Sequence, residues 1–132
     1  MADALADLAE VAASLEHAAE AGDPVPAIYA RWFERDPEAA AVMDYVDPVT
    51  RGRMIAGVLE LLIMDDAEER AAYLVFELAN HRAYGARTGM YDTLLEAVGE
   101  VIREACRTDW SAARDRAWAR HLGQLKAALA RG

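Results

Sequence analysis

Apolar positions return every three or four residues along this chain, and short polar stretches cut the periodic segments apart. That spacing predicts amphipathic helices. Alanine, leucine and glutamate fill the segments and β-branched runs are scarce, so no strand is expected. A first helix is expected from about Asp3 to Ala21, stopping at GDP. Asp23 followed by Pro24 reads as an N-cap with proline in the first turn, opening a second helix through about Arg35. RDPE ends it and begins a short helix, Glu38 to Val42, followed by the looser MDYVDP. Asp47 and Pro48 repeat the cap-plus-proline signal and open a helix to about Met64, in which Ile55, Val58, Leu59 and Leu62 share a face. After DDAEER comes a helix carrying Leu74, Leu78 and His81, spaced by four and three. Gly85 is placed as a helix-ending glycine and Thr88 as the cap of the next helix. There Tyr91, Leu94, Leu95, Val98, Ile102 and Ala105 form one stripe. RTDWS breaks the pattern, and a last helix turns Trp118, Leu122, Leu125 and Leu129 inward. The reading is a single compact all-α domain over residues 1–132, built from about seven or eight helices.

Composition narrows the partners more than the fold. The formal net charge of −9, with no dense basic patch, speaks against nucleic acid and anionic membrane as partners. Cys106 stands alone, so an intrachain disulfide is impossible and zinc-site spacings are absent, which fits a reducing cytoplasm. Acids at Asp3, Asp7, Glu10, Glu16 and Glu20 make the N-terminal stretch a poor secretory signal. The most apolar run, GVLELLIM, is interrupted by Glu60 and is far too short to span a bilayer. No membrane association and a cytoplasmic location are therefore expected.

His81 is the candidate for chemistry. On periodicity alone it lies on the leucine face of its helix, where a lone histidine is usually a core residue with its ring nitrogens satisfied locally. The sharper reading is a single protein ligand to a metal whose other ligands come with a cofactor. Haem suits this, since four porphyrin nitrogens hold the iron and one neutral imidazole suffices. The carbonyl of Glu77, one turn back, is the natural acceptor for the second ring nitrogen.

The stretch ELANHRAYGARTGMY, Glu77 to Tyr91, resembles the proximal helix and following corner of globins, in particular the single-domain bacterial kind related to the haem domain of flavohaemoglobins. The matching residues are His81, Tyr84–Gly85 and Tyr91, ten beyond the histidine. IYARWFERDPE resembles the globin second helix running into a proline-initiated third, and RGRMIAGVLELL the distal helix, with Gly52 where it crosses the second one closely. AWARHLGQLKAAL is similar to the last helix. The resemblance covers about Val25 to the C-terminus and implies a globin fold, with helices three over three, around haem b (iron protoporphyrin IX).

It implies roles residue by residue. His81 is the proximal iron ligand. Tyr29 falls where such globins often carry a distal tyrosine, whose phenol donates a hydrogen bond to the bound gas; its bland alternative is a core aromatic with a satisfied hydroxyl. In a dry pocket such a bond is worth about 1–3 kcal/mol, roughly ten- to a hundredfold in retention. The usual distal position falls on Arg51, with Thr50 one register away; Arg51 reaches in over the ligand, pairs with a haem propionate or points to solvent, the last two being favoured because an unpaired guanidinium is costly to bury. Ile55 is expected to crowd the ligand site, and Phe33 to pack on the porphyrin or its neighbours. Leu78, Leu94 and Val98 are expected haem contacts on the proximal side, or ordinary core residues. Tyr91 resembles the family's proximal tyrosine, but the carboxylate that completes its relay, near the end of the last helix, has no counterpart in AALARG. Met43 stands where globins place a phenylalanine against the haem, with Tyr45 two residues on as the alternative; a sixth-ligand role for Met43 is the least favoured. His17, His121, Trp32, Trp110, Trp118 and Cys106 are read as packing or surface residues.

The leading expectation is therefore a globin that reversibly binds dioxygen, nitric oxide or carbon monoxide. The second is nitric oxide dioxygenase activity; no GxGxxG-type loop is present, so turnover would borrow electrons from a separate reductase. The third is a haem-free, globin-shaped sensor or interaction module, an alternative that Met43 keeps open.

Overall fold

The computed structural model describes residues 2–131, with the side chains of residues 2 and 3 outside the description. It is all-α, as the periodicity predicts. The helices are α1 (Ala2–Glu20), α2 (Val25–Arg35), α3 (Pro37–Met43), α4 (Pro48–Leu62), α5 (Ala67–Arg82), α6 (Thr88–Cys106) and α7 (Ala112–Arg131), with a 3₁₀ turn at Arg107–Asp109 before the last. Aspartates cap three of them. The carboxylate of Asp36 accepts from Ala39 N–H, that of Asp47 from Thr50 N–H, and that of Asp66 from the N–H groups of Glu68 and Glu69. Each satisfies donors that the first helical turn leaves unpaired.

Several boundaries differ from the sequence reading, each for a local reason. Pro37 belongs to α3, because proline has no N–H to lose in a first turn. Pro24 occupies the N-cap of α2, while Asp23 still accepts from Val25 N–H at 3.0 Å. Thr88 is the first residue of α6 rather than its cap; Arg87, in extended backbone, takes that place without a side-chain bond. α4 stops at Leu62, two residues before Met64, because the carbonyls at its end find side chains instead: His121 Nε2 donates to Leu62 at 2.7 Å and Arg70 Nη1 to Met64 at 2.6 Å. Gly85 closes α5 as expected. At φ +96° it donates to the Arg82 carbonyl while Ala86 N–H reaches back to His81, a Schellman closure. Gly52 marks no close crossing, since a Cβ placed there would meet nothing within 4 Å.

α1, α6 and α7 pack against one another, with α2 laid on α6 and α5 on α7. Ile28, Leu78, Leu95, Val98, Ile102, Leu125 and Leu129 are fully buried between them. α4 packs more lightly, against α5 and α1. It is held by polar tethers at both ends: the two carbonyl bonds from His121 and Arg70, and the Tyr29 hydroxyl, which donates to the Arg51 carbonyl at 2.8 Å. The tryptophans pack and are satisfied, Trp32 Nε1 on the Met90 carbonyl and Trp118 Nε1 on Ser14 Oγ. Cys106 is buried, which pushes its thiol pKa up and keeps it protonated. His17 lies partly exposed beside Asp109 at 2.9 Å. Among the described residues no helix is long and apolar enough to cross a membrane.

His121 is buried in the core, where desolvation, followed by the charge of Arg70, lowers its pKa below the usual value of 6.5. The unfolded chain therefore takes up this proton before the folded one does. Stability from neutral His121 is complete above pH 6.5 and is lost as pH falls from there through the folded-state pKa. Urea midpoints measured from pH 7.5 to 5 are expected to fall in the wild type and to fall less in His121→Gln. Parallel slopes would remove His121 as the titrating group.

Candidate functional site

Ile55, Leu61 and Leu62 anchor α4 in the core, and a cleft of about 450 Å³ opens beside its neighbouring face. That is within the size range of small-ligand sites. Its α4 wall follows mainly one helical face, Thr50, Arg53, Met54, Gly57, Val58 and Leu61, with Ile55 beside it. α5 supplies Tyr73, Leu74, Glu77 and His81; α2 supplies Tyr29 and Trp32; α6 supplies Met90, Tyr91 and Leu94. Most of the wall is apolar. All five tyrosines of the chain line this one cleft: Tyr29 and Tyr91 inside, Tyr45, Tyr73 and Tyr84 exposed at its mouth.

His81 sits at this wall with its tautomer fixed. Nδ1 lies 2.7 Å from the Glu77 carbonyl, an oxygen that can only accept, so the proton resides on Nδ1. In the neutral ring Nε2 then carries the lone pair, and it has no hydrogen-bond partner among the described residues. Two further oxygens face Nδ1, the Tyr91 hydroxyl at 3.3 Å and a Glu77 carboxylate oxygen at 3.6 Å. Burial, with the Glu77 charge added, pushes the Tyr91 pKa up to about 12, so its phenol is neutral. No group of three histidine, cysteine or acidic side chains able to hold a metal ion occurs among the described residues. A bare ion would find one imidazole here. A metal that arrives with its own ligands needs only that.

The expected site residues divide. His81, Tyr29, Met43, Ile55, Tyr91 and Leu94 line the cleft together. Met43 and Tyr45 both reach it, but Met43 is buried and Tyr45 is 71 % exposed, so Met43 is the packing residue and Tyr45 the rim. Leu78 and Val98 lie behind the wall, fully buried in the core. Phe33 also lies outside the wall; its ring stacks on Trp32 at 5.5 Å, with the Arg51 guanidinium over it at 5.2 Å. Arg51 faces neither cleft nor open solvent. Its Nε and Nη2 donate to the carbonyls of Val46 and Met43 at 3.0 and 2.7 Å, clasping the corner before α4. Thr50 takes the wall position, though its hydroxyl is bound to Asp47.

Tyr29 differs from expectation in a way that matters chemically. Burial pushes its pKa up to about 12, so it keeps its proton, but that proton is donated to the Arg51 carbonyl. A phenol has one proton to give.

The sequence reading missed Arg53, Met54, Tyr73 and, as a side chain, Glu77. Arg53 is the one arginine or lysine in the wall and makes no ion pair or hydrogen bond among the described residues. The signal was available: counting by three and four from Thr50 rather than Arg51 yields Arg53, Met54, Gly57 and Val58, and Tyr73, Glu77 and His81 are spaced by four. No family model matches the chain, and no curated protein does.

Proposed function

We propose that this chain is a globin: an all-α, three-over-three haem protein that reversibly binds dioxygen, nitric oxide or carbon monoxide. The observation that carries the reading is His81, with Nδ1 committed to the Glu77 carbonyl and Nε2 unpartnered at the wall of a largely apolar cleft. That is the preparation an axial imidazole ligand needs. Haem b, if bound, would supply an iron able to take up a diatomic gas.

The chain's own residues then do four things. His81 offers Nε2 to the iron. Met43, Leu94 and Met90 fill the inner wall and exclude water. Tyr29 brings the one phenol from α2 to the cleft, able to turn its proton from the Arg51 carbonyl to the gas. Arg53, unpaired at the wall, is placed to meet a haem carboxylate. As an exposed ion pair this last contact is modest: Arg53→Gln is expected to speed haem transfer to a scavenging apoprotein about two- to fivefold, less at high salt. Equal rates would take Arg53 out of haem binding.

The reading is tested by titrating purified protein with haemin and recording ferric, ferrous and carbon monoxide spectra. A Soret band saturating at one haem per chain and shifting under carbon monoxide is expected. No such band after haemin addition would sink the haem reading and leave a haem-free helical module.

A further inference from the structure

We infer that Glu77 is a positioning residue for His81, its carboxylate acting through its charge beside the Nδ1–H and making Nε2 a stronger electron donor. This rests on the haem reading above.

The geometry comes from one helix. Residues four apart on α5 lie one above the other, so Glu77 presents two groups to His81. Its carbonyl fixes the Nδ1 proton at 2.7 Å, and its carboxylate reaches the same nitrogen at 3.6 Å. The carboxylate has no other ion pair or hydrogen bond among the described residues. The third oxygen near Nδ1 is the Tyr91 hydroxyl, so Glu77 brings the one carboxylate there. Arg53 faces the cleft from α4, but the structure pairs it with no acid.

An anion beside a donor N–H stabilises the ring as the proton shifts toward oxygen, and electron density at the far nitrogen rises. A more basic Nε2 favours ferric over ferrous iron. The effect is moderate, because the His81 and Glu77 side chains are 33 % and 30 % exposed and water screens part of the charge. Glu77 is thus more than an acid on a helix surface. Its charge would bias a bound haem iron toward the ferric state.

Glu77→Gln keeps the helix, the carbonyl and nearly the same shape while removing the charge. In the haem-loaded protein it is expected to shift the ferric–ferrous equilibrium toward ferrous by about three- to tenfold, the upper limit being ~59 mV for one electron. The iron–histidine stretching frequency of the ferrous, gas-free form is expected to fall with it. Glu77→Asp, which keeps the charge on a shorter arm, should lie between. A purely structural role would alter unfolding or haem affinity and leave potential and frequency alone. Glu77→Ala is the second charge-removing variant should glutamine perturb folding. Wild-type potential and frequency in both, with haem bound, would overturn the inference while the haem reading stands. Failure of the wild type to bind haem would overturn both.

Discussion

Replacing His81 by alanine is expected to weaken haem binding by more than about a hundredfold, beyond the ten- to hundredfold typical of losing an outer-shell partner of a ligand. The expectation follows from the absence of a substitute. Among the described residues no other metal-binding cluster exists, and of the remaining histidines His121 is buried against the Leu62 carbonyl while His17 pairs with Asp109. Folding should survive, since the His81 side chain is one-third exposed and the α5 closure uses its backbone carbonyl. Haemin titration and circular dichroism together check this: a helical protein that no longer retains a Soret band, with partial recovery on adding free imidazole. An alanine variant that binds haem with wild-type affinity and spectrum would show that His81 is not the ligand.

Tyr29→Phe is the second large effect, and the structure revises its size. An uncommitted phenol would slow gas release by ten- to a hundredfold. Here the phenolic proton already serves the Arg51 carbonyl at 2.8 Å, so a bond to the gas is an exchange rather than a gain. A bond to a polarised gas exceeds one to a neutral carbonyl by about 1 kcal/mol, so release of dioxygen from Tyr29→Phe should be about five- to tenfold faster. Stopped-flow displacement by carbon monoxide measures it. An unchanged rate would mean that the hydroxyl stays with Arg51 and tethers α2 to α4 throughout. Stability should fall by about 0.5–1.5 kcal/mol with the loss of this tether to α4.

The two substitutions differ in how much the sequence foretold. His81 lies on the same face as Leu74 and Leu78 by helical arithmetic alone, and its bond to the Glu77 carbonyl follows from one turn of helix. Tyr29 was readable as a position and unreadable as a hydrogen bond, since Arg51 lies 22 residues away and meets it through packing of α2 on the start of α4. Glu77 shows the same divide: helical spacing places its carbonyl at His81, while only the structure shows its carboxylate 3.6 Å from Nδ1.

Local physics therefore determined the helices. Aspartates 36, 47 and 66 cap them, Gly85 ends α5 in a conformation other residues resist, and three-and-four spacing assigns the buried faces. These depend on neighbours within a turn, which a sequence states directly. Tertiary structure decided which of two adjacent residues a helix shows to the cleft, Thr50 over Arg51, because neighbours on a helix differ by only about 100° and the packing partner sets the rotation. It also buried His121 against the end of α4, sent Phe33 and Arg51 to clasp the corner instead of the cleft, and gathered five tyrosines from separate segments around one opening. Those outcomes are sums of contacts between residues far apart in the chain, and periodicity carries no information about them.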